Sequence, residues 1–299
     1  MLISGVEHNY SMRITVFTPT YNRAHILSNL YVSLKQQTFK DFEWVVVDDG
    51  SSDNTESIIQ QFVQEKILDI SYYKQVNGGK HRAVNHGLQV ARGDLFFIVD
   101  SDDQLPPDSL QQVDYYYSTI EGDPSFAGVC GMKAHFDGRI VGAEYPFEIL
   151  DSNSLDFVHK YKHYGDKAEV IRTEVFRQFP FPDYPGEKYC AESLVWNRIA
   201  RQYKMRYFKR TIYLCEYLPD GLSQAFVKNK RKSPTYATQI CSELLTSDVP
   251  FKVKIKNAIS FWRYAPCLKT NNRPHIPFWA LILAPVGYAV YLHDSASVK

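Results

Sequence analysis

Four short apolar runs punctuate the first hundred residues, and each ends in a polar cluster. Residues 13–18 (RITVFT) lead into Pro19-Thr20-Tyr21-Asn22-Arg23, and 43–47 (EWVVV) into Asp48-Asp49-Gly50-Ser51-Ser52-Asp53. Residues 70–74 precede Asn77-Gly78-Gly79-Lys80, and 95–99 (LFFIV) precede Asp100-Ser101-Asp102-Asp103. Runs of this length, rich in β-branched and aromatic residues, read as strands buried on both faces. Between them the apolar positions switch to helical spacing: Ile26, Leu27, Leu30 and Leu34, then Ile58, Ile59, Phe62 and Val63. A third helix is expected over 79–91, and Asp53 with Glu56 reads as a capping pair for the second. Strands alternating with helices predict a mostly parallel sheet with right-handed crossovers. Ligands of such sheets sit outside the carboxyl ends of the strands. The four polar clusters therefore predict one site.

The chemistry of that site is clearest in 95–103, LFFIVDSDD, where three carboxylates fall within four residues. If Asp100 and Asp102 continue the strand, their side chains point to the same side. Two ionised carboxylates that close repel each other and call for a cation. Magnesium and manganese suit one or two carboxylates and let phosphates complete the shell. A solvated acidic turn ahead of Pro106-Pro107 is the other reading.

Past Asp103 the rhythm changes. A helix is expected over 107–120 and a hairpin from 127–134 to 139–141 around Asp137-Gly138. A strand is expected at 168–171. A proline-rich loop, 179–185, leads into a helix with Glu192 in its first turns; 207–217 is β-like and Asp220-Gly221 turns the chain. From about Lys228 onward the pattern is helical but less regular. Residues 276–292 (IPFWALILAPVGYAVYL) are the most apolar segment, at the lower limit for a span and carrying two prolines. That favours an interfacial or core-packed helix pair over a transmembrane helix.

Composition adds an asymmetry. The 299 residues are 44% hydrophobic and 22% charged, with a formal charge of +1, which suits one large soluble domain or a domain with a tail. Between 197 and 273 sixteen Lys/Arg face four Asp/Glu, or +12, so the remainder sums to −11. A basic quarter on an acidic body suggests contact with phosphates or anionic lipid, or else a solvated basic face. Five widely spaced cysteines without a CxxC pair fit reduced thiols in a cytosolic protein and offer neither zinc site nor disulfide framework. MLISGVEHNYSMR at the start lacks the pattern of a secretory signal. No GxGxxG follows the first strand, which excludes a dinucleotide-binding enzyme. A phosphatase of the haloacid-dehalogenase type would carry its DxD on the first strand, not the fourth.

The motifs TPTYNR at 18–23, VVVDDGSSDNT at 45–55, NGGKHRAVNHGL at 77–88 and IVDSDD at 98–103 resemble the donor half of family 2 glycosyltransferases. GEKYCAESLVWNRIA at 186–200 and YLCEYLPDGLS at 213–223 are similar to a bacterial, surface-polysaccharide subgroup. The resemblance implies an α/β GT-A fold, a Rossmann-like, mostly parallel sheet flanked by helices, with a mainly helical C-terminal appendage. It divides the chain into a catalytic domain at 1–226, with a nucleotide-sugar half at about 12–104 and an acceptor half at about 105–226, and an appendage at 227–299.

It also implies roles. Asp49 would accept from the base edge of a UDP-type donor, with Thr18, Pro19 and Tyr21 lining that pocket and Arg23, Asn77 and Ser101 beside the nucleotide sugar. Asp100 would hold ribose or metal, Asp102 the Mn2+ or Mg2+ that bridges the diphosphate, and Lys80 would neutralise a phosphate. Glu192 would deprotonate the acceptor hydroxyl, giving one displacement with inversion. The family's usual Glu-Asp pair is Glu192-Ser193 here, which leaves Glu187 and Asp183 as substitutes. Ser223 would touch the diphosphate from a closing loop. Asp48, His81, His86 and Trp196 have ordinary structural readings as turn, helix or core residues.

The expected partners are a nucleotide-diphosphate sugar and a glycan or lipid-linked acceptor, with no nucleic acid. The basic clusters at 228–232 and 252–256, ahead of the apolar 276–292, would bring a cytoplasmic enzyme to an anionic membrane face. The competing reading is a non-catalytic assembly protein that keeps the nucleotide-sugar fold.

Overall fold

Alternation along the first strands dictates the layers. In the computed structural model, which describes residues 12–216, 226–269 and 273–297, β1 (Met12–Thr20) places Ile14 and Val16 on one face and Phe17 on the other. Then come α1 (Leu27–Lys35), β2 (Phe42–Asp48), α2 (Thr55–Glu65), β3 (Ile70–Lys74), α3 (Lys80–Val90) and β4 (Gly93–Ile98). These four strands lie parallel in the order β3-β2-β1-β4, with Val16 opposite Trp44 on one side and Phe97 on the other. Residues α1 and α2 contribute, such as Leu30, Leu34, Ile59 and Phe62, cover the face that carries Val16, Trp44 and Phe97. Ala83, Val84 and Leu88 of α3 cover the face that carries Phe17, Val45 and Phe96. A Cβ on Gly87 would stand 2.2 Å from the Phe17 ring, so only glycine lets α3 lie this close to β1.

The second half extends the same sheet by different rules. It contains α4 (Ser109–Ser118), β5 (Phe126–Ala134), β6 (Ile149–Ser152), α5 (Ser154–His159), β7 (Ala168–Arg172), α6 (Thr173–Gln178), α7 (Ser193–Ile199) and β8 (Lys204–Leu214). Strand β7 runs antiparallel between β4 and β5, β8 parallel to β5, and β6 antiparallel at the edge. The result is one eight-stranded mixed sheet, parallel through the half that sequence periodicity described. Residues 139–141 form no strand, but a bridge at Ile140 closes the expected hairpin onto Ala134.

Helices α8 (Phe226–Lys232), α9 (Pro234–Thr246), α10 (Phe251–Tyr264) and α11 (Ala284–Ser297) follow, with short 3-10 turns at Ala265–Cys267 and Phe278–Leu283. They are not loosely attached. Tyr236, Ala237, Ile240, Cys241, Phe261 and Tyr264 sit in the same core as Phe17, Phe96 and Phe176. Part of the basic excess is also neutralised from outside its own segment. Arg206 pairs with Asp151 at 2.7 Å, Lys209 with Glu144 at 2.8 Å, and Arg263 with Asp294 at 2.6 Å. Of the 228–232 cluster, Lys230 lies over the rings of Phe226 and Tyr264, and Arg231 donates to Tyr291 and Ser295. Those two side chains point inward, contrary to the expectation of a single exposed cluster.

Local details depart from expectation in two further places. Asp53 holds the second helix, accepting from the Thr55 amide at 3.0 Å, but also from the Ala24 amide at 3.1 Å; Glu56 pairs instead with Lys74. No reciprocal capping box forms. The β-like stretch expected at 207–217 is β8, which begins and ends three residues earlier, and the turn expected at Asp220-Gly221 lies outside the described residues, as does Ser223.

Candidate active site

The strand β4 stops at Ile98, so the acidic cluster is a turn and not a continued strand. The Asp103 amide donates to the Asp100 carbonyl at 3.1 Å, which curls 100–103 into a tight bend. Tyr213 of β8 fixes this bend from beneath. Its hydroxyl accepts the Asp100 amide at 2.9 Å and donates to Asp103 Oδ2 at 2.6 Å. The alternation argument for Asp100 and Asp102 therefore fails, yet the bend still brings both to one cavity.

That cavity, about 1370 Å³, opens at the carboxyl ends of β1, β2 and β4 and is closed on the other side by α5, β7 and the start of α7. Pro19, Tyr21, Arg23, Asp49, Asn77, Lys80, Asp100, Ser101, Asp102 and Glu192 all line it. Ten of the eleven residues expected from sequence are thus brought together. Thr18 is the exception. It is fully buried on the core face, where its Oγ1 accepts from Trp44 Nε1 at 2.9 Å. Thr20, two residues further at the strand end, lines the cavity, and among the described residues its buried Oγ1 has no partner.

Lys80 is the hub. Its Nζ lies 2.6 Å from Asp100 Oδ1 and 2.7 Å from Glu192 Oε1. Burial works against the ammonium, but Asp100 and Glu192 outweigh it and the net shift of Lys80 is upward. Burial likewise pushes Asp100 up, and Lys80 followed by Lys133 brings it below the usual carboxylate range. For Asp102 and Asp103 the relief, from Arg23 and Lys80 and from Tyr213 and Lys133 respectively, is too small. Burial and then Asp100 raise both, Asp103 to about 7. A bound cation beside Asp102 would relieve that repulsion, so the donor set fits a hard divalent ion. No cluster of three His, Cys, Asp or Glu side chains that could hold a metal is assembled among the described residues.

The turn that presents Lys80 is built by Asp49. Its Oδ1 accepts the Gly78 amide at 2.8 Å and Gln75 Nε2 at 2.9 Å, and its Oδ2 accepts the Gly79 amide at 2.7 Å. Gly79 has φ +99°, and a Cβ there would meet the Lys188 carbonyl at 2.1 Å. Asn77 donates to the Asp49 carbonyl at 2.9 Å and accepts from Lys188 at 2.8 Å. Asp48 faces away, accepting the Ser51 amide and the Tyr72 hydroxyl, and is a scaffold residue.

Glu192 is the N-terminal cap residue of α7, one position before the helix and not within its first turns. The two acids held as substitutes are otherwise engaged. Glu187 accepts the Thr235 and Tyr236 amides at 2.7 and 3.0 Å and so caps α9. Asp183 pairs with Arg82 on the exposed rim. Ser193 and Trp196 line the cavity beside Glu192. His81 is buried, and burial followed by Arg82 pulls it down to about 4; His86 contacts Gln75 at 3.2 Å. Sequence reasoning missed Thr20, Asp103, Lys133 and Glu169, all of which line the cavity. Only the first two had a signal, their place inside polar clusters.

Residues 15–119 match the family described as Glycosyl transferase family 2. Among curated relatives, the GalNAc(5)-diNAcBac-PP-undecaprenol beta-1,3-glucosyltransferase of Campylobacter jejuni is 28% identical over 199 residues, 64% of this chain and 60% of that protein. The poly(ribitol-phosphate) beta-N-acetylglucosaminyltransferase TarS of Staphylococcus aureus is 33% identical over 115 residues, 36% of this chain and 20% of TarS. The chain spans between 32% and 60% of the lengths of the first curated relatives it matches. By structure, S. aureus TarS 1–349 in complex with UDP-GlcNAc aligns over 86% of this chain and 72% of its own, with TM-score 0.64 and 21% identity. The mannosyltransferase PcManGT from Pyrobaculum calidifontis, in complex with GDP-Man and Mn2+, aligns over 95% and 81%, with TM-score 0.57 and 20% identity. These likenesses establish the GT-A fold.

Proposed function

We propose, from the match of residues 15–119 to glycosyl transferase family 2, that the chain moves a sugar from a nucleotide-diphosphate donor, UDP-linked, to a hydroxyl of a glycan or lipid-linked acceptor. The observation that carries this reading is the triad Asp100–Lys80–Glu192, joined by contacts of 2.6 and 2.7 Å in one cavity. Residues 12–104 would bind the donor, 105–226 the acceptor, and 227–299 would form the appendage. Donor complexes of the structural neighbours, with UDP-GlcNAc and with GDP-Man and Mn2+, support the donor class. Asp102, with Asp100, would hold Mn2+ or Mg2+, which when bound neutralises charge growing on the leaving diphosphate.

Each protein group has one task in this scheme. Lys80 leaves Asp100 for a donor phosphate, where its ammonium offsets the same charge. Glu192 loses its ion-pair partner as Lys80 moves and accepts the proton of the acceptor hydroxyl. The hydroxyl oxygen bonds to the anomeric carbon while the bond from that carbon to the phosphate oxygen breaks, and the electron pair leaves with the diphosphate. A single displacement inverts the anomeric centre. Ser193, where relatives of this kind carry a second acid, leaves Glu192 as sole base, because Glu187 and Asp183 are occupied.

The working place follows from the other end of the chain. No helix among the described residues is long and apolar enough to cross a membrane. Phe278 and Ile282 are 83% and 75% exposed, and Leu281, Val286, Tyr288 and Leu292 are exposed as well, as is Phe251, whose ring meets Trp279 and which precedes Lys252. Exposed apolar side chains in a basic segment fit a lipid surface, and one relative acts on an undecaprenol-linked glycan by name. Peripheral contact with the cytoplasmic leaflet is the reading this supports. Transfer assays with UDP-sugars and manganese test the activity. Donor binding with neither transfer nor donor hydrolysis would favour the non-catalytic assembly protein. Co-sedimentation with anionic vesicles tests the membrane contact, and a chain that stays in the supernatant at low salt would end it.

A further inference from the structure

The inner end of the cavity contains an acid that the transfer scheme does not use. Glu169 is the second residue of β7, and in the sheet it pairs with Cys130 of β5, which in turn pairs with Tyr207 of β8. On its other side, β7 runs antiparallel to β4 with Val170 opposite Phe97. One further step in that register sets Glu169 beside Ile98, two residues before Asp100. Strands lie about 4.8 Å apart, so Glu169 stands one strand over from Ile98, and it lines the same cavity as Asp100.

Side-chain direction agrees with this placement. Ile171, two residues on and therefore on the same face, packs in the core beneath α6 and α7, and Ile98, Cys130 and Tyr207 belong to that face too. Glu169 lines the cavity there, together with Trp196. Among the described residues it forms no ion pair, and no other side chain hydrogen-bonds to it; burial raises its carboxyl to about 7, with Lys167 and Lys133 only partly compensating. Lys133 rests its ammonium 3.9 Å from the centre of the Tyr213 ring and acts on Asp100 as well as Glu169. Glu169 is half-buried and its carboxylate opens on the cavity, where a bound molecule can supply donors. Pyranose hydroxyls and acetamido N–H groups supply them, and an aromatic ring such as Trp196 offers the apolar wall on which a sugar face packs.

We propose that Glu169 is a sugar-selecting residue, accepting hydrogen bonds from hydroxyl or amide groups of the pyranose of the bound nucleotide sugar. This rests on the nucleotide-sugar reading above and adds the determinant of which sugar is taken. An acceptor inside the site discriminates strongly once the sugar has displaced its water, because a sugar lacking the matching hydroxyl leaves it unpaired.

Calorimetry with UDP alone, UDP-glucose, UDP-galactose and UDP-N-acetylglucosamine, in manganese, tests the assignment on wild type, Glu169→Gln and Glu169→Ala. The expected result is unchanged UDP affinity in all three. In Glu169→Ala the ratio between the best UDP-sugar and UDP falls by about tenfold or more, the scale of one charge-assisted hydrogen bond. Glu169→Gln, which keeps one carbonyl oxygen and gains an N–H, reorders the preference among the three sugars. Melting temperatures at or above wild type would show that the fold is intact, since a buried acid has been removed. Wild-type ratios in both variants overturn the inference while leaving the transferase reading standing, as does a variant that alters only the acceptor KM. A wild-type chain that binds none of the four probes overturns both. Should the alanine variant fail to fold, the glutamine variant alone decides.

Discussion

The two halves of the sheet deliver their functional side chains by opposite routes. In β1, β2, β3 and β4 all strands run one way, so every carboxyl end opens on the same edge and polar clusters at strand ends converge. In the second half β7 is inverted, and its amino end reaches the site. Glu169 therefore enters from the start of a strand, and Lys133 from the far end of β5. Glu192 comes from a helix cap and Tyr213 from the end of β8. The first half is a repeated device, whereas the second is a set of single solutions. That difference predicts which substitutions remove function outright and which only tune it.

The largest effect should separate chemistry from binding across the two halves. Glu192→Gln is expected to lower transfer by about 10²–10⁴-fold, the usual scale for loss of a general base, while donor affinity measured by calorimetry stays near wild type. If the variant retains transfer and Asp183→Asn does not, the base lies on the rim and the comparison breaks. Next in size is Asp102→Asn, on the donor side. It should abolish most of the manganese dependence of UDP affinity, because the amide is a poor substitute for the carboxylate that would meet the ion. Equal metal dependence in variant and wild type would remove Asp102 from the metal site.

A smaller effect is expected where the halves are stitched together. Tyr213→Phe removes the hydroxyl that accepts the Asp100 amide and donates to Asp103. It leaves one buried carboxyl oxygen without that donor, which costs about 1–3 kcal/mol. The bend carrying Asp100 and Asp102 should loosen, so donor KM rises several-fold while kcat changes little. A stability loss with unchanged KM would make Tyr213 a fold residue only.

These expectations follow how much of the site the sequence revealed. The four parallel strands were legible because residues buried on both faces form uninterrupted apolar runs, and the polar residues after them were legible as one site. Thr18 was misplaced for a reason visible in the strand. It keeps the alternation of Ile14 and Val16 and so faces the core and Trp44, whereas the strand end frees Thr20. Asp100 and Asp102 were assigned to a strand that stops at Ile98, because no periodicity separates a strand end from a bend. Glu187 and Asp183 looked equivalent to Glu192 in sequence; only tertiary partners 48 and 101 residues away occupy the first with the α9 amides and the second with Arg82. Glu169 sits in AEVIR, an unremarkable strand, and nothing local marks an acid whose partner is a cavity. The basic C-terminal quarter is only partly legible for the same reason, since Arg206 and Lys209 are matched by Asp151 and Glu144, which precede it by dozens of residues.

The smallest effect is a pH dependence that sharpens the contrast without any ligand. Glu169 has an ordinary unfolded carboxyl but titrates near 7 when folded, so the folded chain binds a proton more tightly than the unfolded one between about pH 4 and 7. Its contribution to stability is complete below the unfolded value and is lost as pH rises through 7. The groups that act on it are Lys133 and Cys130 from β5, Tyr207 from β8, Tyr145, and Lys167 and Asp166 ahead of β7. Burial pushes the Cys130 thiol and the Tyr145 and Tyr207 phenols upward, so these three stay neutral across the interval. Asp103 has the same sign and a similar midpoint, which is why a difference between two proteins is needed. Wild type should lose more melting temperature than Glu169→Gln, so that the gap widens by about 2 °C or more between pH 5 and pH 8. Parallel melting curves would mean that the Glu169 carboxyl is as well solvated folded as unfolded, and it would then be no poised acceptor for a sugar.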